Sequence, residues 1–219
     1  MKVELHKLFY TPVWRFYYPD FENDQEFLVR YLAQDNLYLS EREKNGLQIT
    51  RANLHKDGKV KKLTDFIHSC GKYAMDDMGY YDECGITSMW ATRQKAGGFH
   101  HMHSHANSFL GGSFHLFDAD GNASGTVFPN LGAEKYVIRP AISGKNELML
   151  KSQEEMEFIA GTLVMFPAWA THQTSPTDCN YRIIVGVNIM PIGKTNFDHF
   201  DRYDFPKIGN MQLMEYGDE

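Results

Sequence analysis

The chain has 219 residues, of which 42% are hydrophobic and 23% charged, a balance that suits a packed globular chain and excludes global disorder. Its net charge of −6 argues against a general nucleic-acid coat, which needs a basic face. No apolar run approaches the roughly 20 residues of a membrane helix, Met1–His6 lacks a signal-peptide core, and Cys70, Cys84 and Cys179 form no CxxC pair, so a single soluble domain in a reducing cytoplasm is expected.

The first part of the chain reads as mixed α and β. Val3 to Tyr10 is a strand candidate stopped by Pro12. Residues 21–34 fit a helix, with Phe27, Leu28, Tyr31 and Leu32 at helical spacing and Asp20 as N-cap. A second helix is expected from Val60 to Ala74, with Leu63, Phe66, Ile67 and Cys70 on one face and Gly71 as an awkward interior residue. Residues 79–85 read as a loop. Strand-like runs then dominate: 86–93, 108–117, 126–128, 136–139, 147–150, 162–166 and 181–190, separated by Gly, Asn, Asp and Pro turns. This order predicts an all-β barrel or sandwich core over 86–192. The elements of 1–85 would cover its outside and blunt its edges, and 193–219 would be an extension.

Histidine is concentrated. Of ten in all, five fall between His100 and His115. In an extended chain His101, His103 and His105 would share one face, with His100 on the other. Two such imidazoles can hold one metal ion, and either His101/His103 or His103/His105 has the spacing. The third ligand is expected to be His172, five residues beyond the Pro167 that ends an apolar strand. Imidazole suits iron, zinc, copper and nickel. Ten residues further, Arg182 opens a strand whose alternation puts Arg182, Ile184, Gly186 and Asn188 on one face. An arginine and an asparagine on an inward face make sense around a polar ligand such as a carboxylate.

In order and spacing, Trp90, Gly98, His103-Ser104-His105, Ser108–Gly112, Gly161, Phe166-Pro167, His172, Arg182 and Asn188 resemble the 2-oxoglutarate/Fe(II)-dependent oxygenases. Together with the opening Leu8–Pro12, they look like a poorly characterised branch met in marine bacteria and their phages. The resemblance implies a mainly β, α+β chain with a double-stranded β-helix (jelly-roll) core and a metal at its open end. It further implies Fe(II) as the metal, 2-oxoglutarate as co-substrate, and an oxidoreductase that hydroxylates its substrate. Carried over by position, His103 and His172 match the two imidazole ligands, and His105 falls where the family's Asp or Glu would be. Arg182 falls where a basic residue holds the far carboxylate of 2-oxoglutarate. Asn188 closes the last strand, and His115 either contacts the co-substrate or simply packs. A homodimer is common for this fold.

Two other readings compete. Gly97 lies six residues before His103 and Gly161 six before Pro167, spacings that resemble a cupin enzyme working without 2-oxoglutarate. Arg182 has no role in that reading. The missing carboxylate would also suit a non-catalytic binding or structural protein on an oxygenase scaffold. Trp90 reads as a core residue, and Lys56–Lys62 as a small basic loop. Substrate specificity is expected around Tyr80-Tyr81 and residues 118–135, and nothing there names a molecule.

Overall fold

The computed structural model describes residues 10–39, 46–80, 83–132 and 151–192. The strands are β1 (Trp14–Tyr17), β2 (Leu47–Ile49), β3 (Glu83–Lys95), β4 (Leu110–Asp118), β5 (Thr126–Pro129), β6 (Gln153–Met156), β7 (Thr162–Pro167) and β8 (Tyr181–Ile192). The helices α1 (Phe21–Leu32) and α2 (Lys61–Asp77) precede β3. The expected strands 136–139 and 147–150, the run 3–9 and the extension 193–219 lie outside the described residues.

Six strands form one antiparallel sheet in the order β1-β7-β4-β8-β3-β2, and β5 and β6 form a second. The expected β-core is present, and its major sheet takes both edge strands, β1 and β2, from the first part of the chain. β1 was missed because Val13 and Trp14 follow Pro12 immediately. β3 starts three residues earlier than expected, because Glu83, Cys84 and Gly85 pair with Ile192, Pro191 and Met190. Local turn composition cannot anticipate a partner about a hundred residues away.

Alternation along β8 divides the molecule. Ile183, Val185, Val187 and Ile189 join the core made with the helices, where Leu63, Ile67, Cys70 and Ala74 of α2 are buried. Each fully buried aliphatic side chain contributes about 1.5–3 kcal/mol relative to exposure. Gly71 belongs in α2 because a Cβ there would stand 2.7 Å from Ile189 Cδ1. The helix lies that close to the sheet, which outweighs the helix-propensity cost of glycine. Asp20 occupies the cap position of α1, yet its side chain makes no capping bond; its carbonyl accepts from Asn23 and Asp24 N–H. The opposite face of β8, with Arg182, Ile184, Gly186 and Asn188, turns away from the helices.

Candidate metal centre and co-substrate cavity

The site is built by zipping two distant segments together. His103 and His172 exchange two backbone hydrogen bonds of 2.9 Å each, and His105 N–H donates to the Ala168 carbonyl at 2.9 Å. Further along, Thr174 N–H donates to the His100 carbonyl, and Gly97 N–H to that of Thr177. Gly97 takes φ +78° at the turn that starts this run, a conformation glycine adopts without steric cost.

The pairing brings His103, His105 and His172 together, with one ring nitrogen of each within 4.8 Å of the others. Ring centroids are 4.2 Å apart for His103 and His172, and 5.0 Å for His105 and His172. His101 does not join them. The chain bends at Met102, so strand alternation fails there; His101 is exposed, with its ring edge-on to Phe99.

Each of the three rings has its Nδ1 tied to an oxygen. His103 Nδ1 donates to the His101 carbonyl (2.7 Å), His172 Nδ1 to the Ala170 carbonyl (3.0 Å), and His105 Nδ1 to the Asn188 side-chain oxygen. A neutral imidazole carries one proton, so all three Nε2 lone pairs are free. Those of His105 and His172 face each other at 3.3 Å. Two lone pairs at that distance repel unless a cation lies between them. With metal–nitrogen bonds of about 2.0–2.1 Å, adjacent ligands on one ion stand roughly 3.0–3.4 Å apart, so the residues fit a metal ion. Tying the other ring nitrogen to an oxygen is the usual way a ligand histidine is oriented. Gly111 makes room for this arrangement, since a Cβ there would come within 3.1 Å of His105 Nδ1.

Burial pushes all three imidazoles below their ordinary range, that of His172 to about 3. They are therefore neutral and able to coordinate at pH 7. His115, enclosed in the core and near the charges of Arg15 and Arg182, is likewise pushed down to about 3. The unfolded chain protonates such groups near 6.5, while the folded chain leaves them neutral. For His115 and His172 the unfolded state binds more protons between about 3 and 6.5, so stability falls as pH drops below about 6.5, by up to about 1.4 kcal/mol per pH unit for each of the two, and His103 and His105 act in the same direction. Urea unfolding of the metal-free protein is expected to show a clear loss between pH 7 and pH 5, and equal midpoints would contradict it.

The three histidines border a narrow cavity of about 50 Å³ whose walls include Trp90, Gln94, Thr126, Phe166 and Gly186. Trp90 is thus a wall residue rather than plain core. Its indole lies over Gly186, where a Cβ would meet the ring at 2.5 Å. A larger hollow of about 220 Å³ is lined by Asp35, Gln48, Arg93 and Tyr181. It contains none of the histidines, and its Arg93 is already engaged by Asp35 at 2.6 Å, Gln48 and the Ala33 carbonyl.

Arg182 is fully buried and stands behind the cavity wall. Its Nε donates to Gln94 Oε1, its Nη1 to the carbonyl and hydroxyl of Ser124, and its Nη2 has no partner. Burial lowers its pKa to about 10, which still leaves it charged at pH 7. No salt bridge to it occurs among the described residues. An unpaired buried guanidinium next to a polar cavity fits a carboxylate ligand. His115 lies one layer back: it stacks on Phe158 (4.6 Å), accepts from Ile159 N–H at 3.4 Å and reaches the cavity through Thr126 Oγ1 at 3.5 Å. Asn188 serves His105 directly. Sequence reasoning missed Gln94, Ser124 and Thr126. Gln94 had a signal, since it repeats the period of Trp90 and Thr92 along one strand face. Ser124 and Thr126 follow a turn and had none.

Three neutral imidazoles brought together beside two sheets form a site that could hold a single metal ion. Residues 88–188 match the family model described as putative 2OG-Fe(II) oxygenase, a stretch that includes all three histidines and Arg182. No curated protein matches the chain. Among solved structures it is similar to the viral collagen prolyl hydroxylase of Paramecium bursaria Chlorella virus-1 in complex with 2-oxoglutarate, at 13% identity and TM-score 0.54, covering 81% of this chain and 94% of that one. It is similar to HygX from Streptomyces hygroscopicus with nickel, 2-oxoglutarate and hygromycin B bound, at 9% identity and TM-score 0.60, covering 87% of each. A Pseudomonas putida prolyl-4-hydroxylase aligns at 11% identity and TM-score 0.54, over 83% of this chain and 93% of that one. These likenesses establish the double-stranded β-helix fold. The match over residues 88–188 makes that stretch similar to the 2-oxoglutarate/Fe(II)-dependent oxygenases, and the three histidines within it could hold a metal ion.

Proposed function

We propose that the protein hydroxylates an organic substrate, with His103, His105 and His172 as the iron ligands and Arg182 as the anchor for the far carboxylate of 2-oxoglutarate. The observation that carries this reading is the set of three imidazoles with one ring nitrogen of each within 4.8 Å of the others, each ring held by an oxygen acceptor on Nδ1. When bound, iron(II) and 2-oxoglutarate supply the oxidation: dioxygen is consumed, 2-oxoglutarate is converted to succinate and carbon dioxide, and one oxygen atom enters the substrate.

The chain's own residues supply the rest. Backbone pairing between the two histidine segments sets the ligand positions before metal arrives, which reduces the ordering cost of binding. Asn188 holds His105 in one tautomer. Trp90 and Phe166 wall the cavity and limit water around the reacting groups. Arg182 offers its unpartnered Nη2, and His115 fixes the hydroxyl of Thr126 from behind. His105 stands where the family's usual pattern has a carboxylate, so the site carries one negative charge fewer. His105→Asp would bind a hard divalent ion more tightly.

No helix among the described residues is long and apolar enough to cross a membrane. Cys70, Cys84 and Cys179 are free and buried, which supports a cytoplasmic setting.

Anaerobic addition of 2-oxoglutarate to the Fe(II)-loaded protein tests the reading. A weak visible charge-transfer band that requires both components is expected. If iron binds, no band forms and 2-oxoglutarate does not alter the thermal midpoint, 2-oxoglutarate is not the co-substrate and the reading fails.

A further inference from the structure

Four imidazoles border the cavity, and the metal centre accounts for three. The fourth is His100. Its ring centroid stands 4.1 Å from that of His103, with the planes at 51°, yet it is outside the group whose nitrogens converge. Its backbone is fixed at both ends by Thr174, which accepts His100 N–H on Oγ1 at 2.8 Å and donates its own N–H to the His100 carbonyl at 3.1 Å. The ring itself makes no hydrogen bond among the described residues.

Its neighbours say what it would meet. His100 shares the cavity wall with Gln94, the residue that holds Arg182 Nε. It therefore stands near both the metal ligands and the buried guanidinium. An imidazole carries at least one N–H donor in either protonation state. A dicarboxylate spanning the three histidines and Arg182 would present oxygen acceptors along this wall. His100 is the unpartnered donor-bearing ring there. The solvent-facing Met102 and Trp169, both more than half exposed, belong to the outside instead.

We propose that His100 is a co-substrate-binding residue whose imidazole N–H donates a hydrogen bond to a carboxylate oxygen of 2-oxoglutarate. The proposal rests on the reading above that 2-oxoglutarate occupies this cavity, and it assigns a residue that neither the family pattern nor the sequence analysis placed there.

The test is anaerobic titration of 2-oxoglutarate into the Co(II)-loaded and Fe(II)-loaded full chain, following absorbance and heat, for wild type, His100→Phe, His100→Ala and His100→Gln. Losing one hydrogen bond to a charged acceptor should weaken 2-oxoglutarate binding by roughly 10- to 100-fold in the Phe and Ala variants, with metal affinity within about 2-fold of wild type. His100→Gln keeps an N–H donor of similar reach and should recover most of the affinity. His100→Ala adds no bulk, so it guards against a packing failure in the Phe variant. Unchanged 2-oxoglutarate affinity in both Phe and Ala overturns the proposal, and so does a matching loss of metal binding, which would make His100 part of the metal centre. Failure of the wild type itself to bind 2-oxoglutarate is a different result: it defeats the functional reading before any variant is compared.

Discussion

His172→Ala should abolish iron binding while leaving the fold intact. The ring of His172 contributes one of three convergent nitrogens, whereas its backbone contributes the two 2.9 Å hydrogen bonds to His103. Alanine removes the first and keeps the second. Altering a residue that merely supports a metal ligand typically costs 10- to 100-fold in affinity, so loss of a ligand should cost more than about 100-fold. The metal-free variant should be no less stable at pH 7 on electrostatic grounds, because the facing Nε2 lone pairs of His105 and His172 at 3.3 Å repel each other without a cation. His101→Ala is the control: that ring is exposed and outside the centre, and its removal should leave affinity within about 2-fold. Calorimetric titration with Fe(II) under anaerobic conditions, together with thermal unfolding of each metal-free variant, checks both halves. If His172→Ala binds iron as the wild type does, the three-histidine assignment is wrong.

The second large effect is expected at Arg182. Without a ligand this side chain is a buried cation with one unpartnered nitrogen, and the charges of Asp118 and Glu155 only partly offset the cost of its burial. The depression of its pKa from 12.5 to about 10 corresponds to about 3 kcal/mol of destabilisation of the charged form at pH 7. Removing a buried charge that lacks a partner, and filling its space with apolar atoms, is often neutral or stabilising. Arg182→Met should therefore unfold at a temperature no lower than the wild type, even though Gln94 and Ser124 lose a donor. The same variant should lose 2-oxoglutarate binding. Truncating one side of a buried hydrogen-bonded charge pair costs about 2–5 kcal/mol, or roughly 30-fold to several thousand-fold in affinity. Arg182→Lys should fall between, since it keeps the charge and loses the planar fork. A wild type stabilised by 2-oxoglutarate, beside an Arg182→Met protein that is equally stable alone but indifferent to 2-oxoglutarate, is the expected pattern. An Arg182→Met protein that still binds 2-oxoglutarate normally would move the carboxylate anchor elsewhere.

These two residues also show how unevenly the sequence exposes a site. His172 announced itself, because an apolar strand, a proline and a histidine five residues later form a local pattern. Arg182 and Asn188 were legible from strand alternation, which places side chains on faces with a period of two. Alternation is a property of regular backbone, and it misled where the backbone bends: at Met102 it put His101 beside His103 and sent His100 to the opposite face. His100 instead lines the cavity and His101 faces solvent. Trp90 read as core because its strand is buried, and only the absence of a side chain at Gly186, on the neighbouring strand, turns its indole into a cavity wall.

The sequence alone indicated the class of fold, helices at 21–34 and 60–74 where 21–32 and 61–77 are observed, most of the β-core and the candidate histidines His103, His105 and His172, because these depend on periodicity, turn chemistry and motif order along the chain. Tertiary structure alone decided what the histidine nitrogens do. The choice of free nitrogen is set by oxygens of His101, Ala170 and Asn188, and the last lies 83 residues from His105. It also decided that Arg182 is left with an unpartnered nitrogen, and that β1 and β2 close the edges of the sheet. Hydrogen-bond partners and strand neighbours are non-local, and composition or spacing does not encode which distant atom will satisfy a given donor.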